Sequence, residues 1–223
     1  MTVAPLPPVA MFDLDNTLID RQAAYLRWAR HFVAERGLPL AALDDLIAFD
    51  RDGFARRDEV FTPMRSRYRL EESVEELIAA YRVSYPTFVT AEPEVSAELA
   101  RLRDAGWRLA LVTNGPPTQD EKIKRAGFSA SFDAVCVSEV VGVRKPDPAI
   151  FSLAASMCGA ELVGNAHAWM VGDAPHYDIG GGRGSGMSTI WIRRGRIWPE
   201  AGFAPDVIVD SIGEAFATLL PSR

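Results

Sequence analysis

Two aspartates stand two residues apart in Phe12-Asp13-Leu14-Asp15-Asn16-Thr17-Leu18, where the first apolar run of this 223-residue chain ends. In extended backbone, residues two apart face the same side. Carboxylates held together raise each other's proton affinity, so such a pair persists where a cation or a catalytic task offsets the charge. An acidic turn with an Asp helix cap has the same spelling, and for this pair alone the two readings are evenly matched.

Three more polar clusters follow three more apolar runs and shift that balance. Thr113-Asn114-Gly115 offers a hydroxyl, an amide and flexible backbone, groups suited to cradling phosphate oxygens, although a lone Thr is more often a cap. Arg144-Lys145-Pro146-Asp147-Pro148 presents a cation before a rigid turn, with Pro148 placed to start a helix. Gly172-Asp173-Ala174-Pro175-His176-Tyr177-Asp178 adds two carboxylates that would complete an oxygen-rich magnesium site. Together these supply a nucleophile, hard oxygen ligands, a phosphate cradle and a compensating cation, which are the parts phosphoryl transfer requires.

The elements that must position them are short apolar runs at Val9–Leu14, Arg108–Thr113, Ala134–Ser138, Ala168–Val171, Thr189–Ile192 and Val207–Val209, read as strands. Helical patterns lie between them, as in Pro93–Ala105, where Val95, Leu99 and Leu102 share a face before Gly106. Strand–helix alternation predicts an α/β fold, a mainly parallel sheet with helices on both faces and ligands at the carboxyl ends of its strands. Residues 18–87 break the alternation. Ala24, Trp28 and Phe32 recur at helical spacing in Gln22–Arg36, as do Val74, Leu77, Ile78 and Tyr81 in Glu71–Tyr85. An inserted helical unit at 18–87 is expected, with 1–17 and 88–223 forming the core.

At this point the chain resembles the haloacid dehalogenase superfamily of hydrolases. The resemblance rests on DxDxT at Asp13–Thr17, Thr113-Asn114, Lys145 and GDxxxxD at Gly172–Asp178, in order across most of the chain. It implies a Rossmann-like core in which Asp13 attacks phosphorus and Asp15 acts as general acid and then base. It further implies Mg²⁺ held by the Asp13 carboxylate, the Asp15 backbone carbonyl and Asp173, with Asp178 in support. Thr113 and Asn114 would bind the phosphoryl group, Lys145 would balance its charge and that of Asp13, and the insertion would be a cap. Little room remains between Thr113 and Lys145 for a second cap type. The substrate implied is a small phosphorylated metabolite. A 2-haloacid dehalogenase of the same fold typically lacks an aspartate at the position of Asp15. The same fold could also serve a phosphomutase or a noncatalytic binding module.

Composition limits the partners. With 24 Lys+Arg against 30 Asp+Glu, the net charge of -6 repels nucleic acid. Met1–Ala10 has neither a basic start nor a long apolar run, and no segment reaches the roughly 18–20 apolar residues of a membrane span, so no membrane partner and a cytoplasmic location are expected. Cys136 and Cys158 have no CxxC spacing and read as buried thiols. His31, His167 and His176 are read as structural rather than as bases. Arg51, Arg56 and Arg57 make the insertion locally basic and are candidates for substrate contact, a solvated face being the default. The glycines from Gly180 to Gly186 do not spell GxGxxG, and they are expected to leave the segment after Asp178 loose. The sequence sets neither the substrate nor the oligomeric state.

Overall fold

The computed structural model describes residues 7–90, 92–162, 167–199 and 202–220; of the Met1–Ala10 stretch, residues 1–6 therefore lie outside the described part. The chain divides into two compact units, Asp20–Thr90 and the remainder on either side of it.

The larger unit is built on six parallel strands: β1 (Val9–Phe12), β2 (Arg108–Thr113), β3 (Ala134–Val137), β4 (Ala168–Gly172), β5 (Ser188–Ile192) and β6 (Val207–Val209), in the order β3-β2-β1-β4-β5-β6. All six fall within two residues of the apolar runs. These runs are continuous because a parallel sheet is covered on both faces; every residue of β1 is fully buried. The order reverses beside β1, whose neighbours are β2 and β4, so the loops leaving β1 and β4 diverge at the switch point where open α/β sheets bind ligands. Asp13 directly follows β1 and Asp173 directly follows β4.

The smaller unit is helical: α1 (Arg21–Glu35), α2 (Ala41–Asp50), α3 (Arg57–Tyr68) and α4 (Val74–Ser84). The Asp20 side chain caps α1 by accepting from Ala23 N at 2.9 Å, and Ser73 with Glu76 forms a capping box on α4. Its core is aromatic: Trp28 meets Tyr81 edge-on at 4.8 Å between ring centroids, and Tyr81 stacks on Tyr85 at 5.0 Å. Buried Asp50 takes both guanidinium nitrogens of buried Arg21, at 2.8 and 2.6 Å, and a third bond from Arg57 at 2.9 Å. Arg56 pairs with Asp58 and Arg51 with Glu59. Arg51, Arg56 and Arg57 are thus each engaged by a carboxylate within the unit, Arg57 sharing Asp50 with Arg21.

Helices α5 (Pro93–Asp104), α6 (Gln119–Arg125), α7 (Ser138–Val141), α8 (Pro148–Met157), α9 (Gly181–Gly184) and α10 (Ile212–Leu219) cover the sheet. Alternate residues of β1 separate the two faces. Met11 joins Val112, Ile150, Phe151 and Met170 in a core under α8, while Phe12 lies 5.8 Å from the Phe216 ring of α10. Each such side chain contributes roughly 1.5–3 kcal/mol relative to exposure.

The glycine cluster corrects one expectation. Pro175–Gly180 forms a π-helical turn that runs into α9, where Gly181 and Gly182 are packed rather than loose. A Cβ on Gly182 would lie 2.8 Å from Met170 Cβ, and one on Gly181 would lie 2.8 Å from the Phe151 ring and 3.1 Å from Pro146 Cα. Glycine lets this helix approach the sheet more closely than any side chain permits. Among the described residues, no helix is long and apolar enough to cross a membrane.

Candidate active site

Four loops at the carboxyl ends of the strands bring the motif residues together. Lys145 Nζ donates to Asp13 Oδ1 and to Asp178 Oδ1, both at 2.7 Å. Lys145 is only 2% exposed. It is the shared partner of two buried carboxylates. Asp178 also accepts from Ala174 N at 2.9 Å through its other oxygen, and a Cβ on Gly172 would stand 2.2 Å from that oxygen, so Gly172 makes the room that Asp178 occupies.

Asn114 places the lysine. Its Nδ2 donates to Lys145 O at 3.0 Å and its Oδ1 accepts from Lys145 N at 2.9 Å, so both ends of this amide hold the lysine's backbone. Asp173 lies with its backbone oxygen accepting from Trp191 Nε1 at 2.9 Å and from Arg196 at 2.7 Å, while its carboxylate accepts from Arg196 at 3.0 Å. Carboxylate oxygens of Asp13, Asp173 and Asp178 lie within 4.8 Å of one another.

Asp15 has different surroundings. Its side chain is 23% exposed, and both oxygens are engaged: Lys122 Nζ donates at 2.9 and 2.7 Å and Gln119 Nε2 at 3.0 Å. The same Gln119 nitrogen donates to the Thr113 hydroxyl at 2.8 Å. Neither Gln119 nor Lys122 belongs to a motif read from the sequence, and neither does Arg196. The one signal in the sequence is that α6, with its run of charges, begins just after Thr113-Asn114-Gly115.

His176 lies on the π-helical turn against the Tyr177 ring, and His31 of α1 lies against Phe88. A groove of about 350 Å³ opens beside Asn114, walled by Ser138, Glu139 and Arg144 among others, and has space for a small molecule.

The electrostatics follow from burial. The Asp13 pKa is pushed up to about 8 on balance: loss of water raises it most, Lys145 pulls it down, and Asp178 and Asp173 push it up. For Lys145 burial disfavours the charge, but the two carboxylates outweigh it and hold its pKa above the usual lysine value. Three buried carboxylates thus face two cations, Lys145 and Arg196. An all-oxygen donor set with surplus negative charge suits a hard divalent ion such as Mg²⁺.

A family model described as haloacid dehalogenase-like hydrolase matches residues 8–186. The phosphoserine phosphatase of Thermus thermophilus is 38% identical over 149 residues, 65% of this chain; the match spans 57% of that protein. The glyceraldehyde 3-phosphate phosphatase of Pyrococcus abyssi is 32% identical over 203 residues, covering 84% of this chain and 82% of the relative. Among solved structures, a HAD phosphatase from Thermococcus onnurineus is 25% identical and aligns over 97% of this chain and 99% of its own, with a TM-score of 0.66. Solved 2-haloacid dehalogenases are fold neighbours too.

Proposed function

Because the chain belongs to the haloacid dehalogenase-like hydrolases, we propose that it is a Mg²⁺-dependent phosphatase that hydrolyses a small phosphorylated metabolite through an aspartyl-phosphate on Asp13. The observation that carries this reading is the trio of buried carboxylates around one lysine, with Asp15 standing beside it. In the proposed first step a carboxylate oxygen of Asp13 attacks phosphorus, and Asp15 gives a proton to the leaving oxygen. In the second, Asp15 takes a proton from the water that attacks the phosphoenzyme, which releases inorganic phosphate and restores Asp13. Lys145 balances the negative charge that collects on Asp13 and on the transferring group. Thr113 and Asn114 bind the transferring phosphoryl group, and Asn114 also holds the Lys145 backbone.

Asp13, the Asp15 backbone carbonyl and Asp173 would hold the Mg²⁺, with Asp178 in support. Once bound, the ion offsets the repulsion between an anionic substrate and the anionic nucleophile. The helical unit Asp20–Thr90 serves as the cap that selects the substrate. Asp15 favours a phosphatase over a dehalogenase, since displacement of a halide needs no protonated leaving oxygen. Turnover of a panel of phosphorylated metabolites with Mg²⁺, beside an EDTA control and a 2-haloacid, tests the reading together with mass spectrometry of acid-quenched enzyme. The expected result is Mg²⁺-dependent phosphate release with a transient phosphoryl adduct on Asp13. Halide release, full activity in EDTA or an adduct on another residue would overturn it.

A further inference from the structure

We infer that the groove beside Asn114 seats the substrate's leaving group, and that Arg144 and Glu139 in its walls select the phosphate ester of an α-amino acid. The inference rests on the phosphatase reading and narrows it, from phosphorylated metabolites at large to those that also carry an ammonium and a carboxylate.

The groove of about 350 Å³ shares Asn114 and Gly115 with the loop proposed to bind the phosphoryl group. Both of its charged walls are tied to that loop. Glu139 N donates to Gly115 O at 3.2 Å, and Gly115 N donates to the buried Ser138 hydroxyl at 3.0 Å, so the start of α7 is stitched to the loop. On the other wall the Asn114 amide grips the Lys145 backbone, and Arg144 is the residue before it. The guanidinium carbon of Arg144 lies 6.0 Å from the centre of the Tyr177 ring, whose neighbour in sequence is Asp178. A ring face orients a guanidinium without taking up its N–H donors.

The two charges are opposite and unspent. Among the described residues neither the Glu139 carboxylate nor the Arg144 guanidinium has an ion-pair partner, although both line the same groove. Exposed charges commonly stand in solvent and do nothing more; these two line a concave wall hydrogen-bonded to the phosphoryl loop. A leaving group with a carboxylate alone would gain Arg144 and be repelled by Glu139, and an amine alone would meet the reverse. A zwitterion satisfies both. In an O-phosphorylated amino acid the ammonium and the carboxylate hang from one carbon, a few bonds from phosphorus, so they fall where a groove opens beside the phosphoryl loop. Neither side chain acts on the reacting atoms. Their contribution is binding shared by ground and transition states, which appears in KM and not in kcat.

The test compares O-phosphoserine with phosphoethanolamine, which lacks the carboxylate, phosphoglycolate, which lacks the ammonium, and glycerol 1-phosphate, which lacks both, on the Mg²⁺-loaded enzyme. The wild type should show its lowest KM for O-phosphoserine. Arg144→Met should raise KM about 10-fold for O-phosphoserine and phosphoglycolate and leave phosphoethanolamine unmoved. Glu139→Gln should raise it by a similar factor for O-phosphoserine and phosphoethanolamine and leave phosphoglycolate unmoved. Both side chains are exposed, so neither substitution disturbs the core. A wild type that prefers glycerol 1-phosphate, or variants whose KM changes are absent or alike for every ester, overturns the inference and leaves the phosphatase reading standing. Binding is read without turnover by calorimetric titration of O-phosphoserine into Asp13→Asn, where adding Arg144→Met or Glu139→Gln should weaken Kd about 10-fold. If the wild type releases phosphate from none of the esters, the phosphatase reading fails and the titration decides the groove: a Kd that both substitutions leave unmoved, or no binding at all, overturns it.

Discussion

Replacing Lys145 by Met keeps most of the side chain's length and removes its charge, and the structure sets what that should cost. Two carboxylates lie 2.7 Å from Nζ, and the lysine is 2% exposed. At an effective dielectric of about 20, each contact attracts with roughly 6 kcal/mol before desolvation is counted. Much of that gain offsets the loss of water around three buried charges, so the pair's net worth is small. Removing one partner is different, because Asp13 and Asp178 stay buried and uncompensated, a change that costs about 3–5 kcal/mol. This is a large share of a typical stability of about 5–15 kcal/mol. With a urea m-value of about 2–3 kcal/mol per M, the unfolding midpoint should fall by roughly 1–2 M. The assay is urea unfolding followed by tryptophan fluorescence, in EDTA so that no divalent ion replaces the lost charge. Asp178→Asn added to Lys145→Met should recover at least about 1 kcal/mol, since it removes one of the two stranded charges. A midpoint within about 0.3 M of wild type, or a double variant weaker than the sum of the singles, would refute the account of a shared buried cation.

Asp50→Ala should destabilise the helical unit by about 3–5 kcal/mol, because Arg21 would remain buried without its carboxylate; limited proteolysis should then show new cleavages within 20–90, and an unchanged pattern would count against it. Gly182→Ala should cost about 1–3 kcal/mol in urea unfolding, since the added Cβ would stand 2.8 Å from Met170 Cβ; a neutral or stabilising result would mean the helix is free to retreat. Burial pushes the thiols of Cys136 and Cys158 up to about 11. Thiolate therefore forms only as pH rises toward that value, and roughly one thiol in a thousand is ionised at pH 8. Iodoacetamide at pH 8 should leave both cysteines unmodified in the folded protein and label both in urea, as read by intact mass; rapid labelling of the native protein would refute their burial.

The sheet was legible because a parallel strand covered on both faces must be apolar throughout, and Val9–Phe12, Leu109–Val112 and Ile190–Ile192 are. The motifs of Asp13, Thr113 and Asp173 were legible because each sits where such a run stops, and Lys145 because a rigid Pro-containing turn follows it. Helix α2 and helix α3 were not singled out. In α3, arginines and an internal Pro63 blur the apolar spacing, and the burial of Val60, Phe61 and Met64 comes from packing against neighbouring helices. Gln119 and Lys122 were not legible for another reason: their partner is Asp15, and no local pattern announces a bond that spans over 100 residues. The bonds from the Asn114 side chain to the backbone of Lys145 were hidden for the same reason, since they join residues 31 apart. Gly181 and Gly182 read as looseness because spacing alone does not reveal Phe151 and Met170 across the gap.

The central place of β1 also sets the order in which the protein can be completed on the ribosome. Val9 pairs with Arg108 on one side and with Ala168 on the other, so the first strand to be made waits longest for its second neighbour. At roughly 5–20 residues per second, the nascent chain carries that apolar strand without its second neighbour for roughly 8–30 s. The helical unit, contiguous from Asp20 to Thr90, can form its own contacts in that interval. Asp13 acquires Lys145, and through it Asp178, only when the carboxyl-terminal half arrives, so a nascent chain stalled before that point carries Asp13 without the charges that surround it in the folded protein.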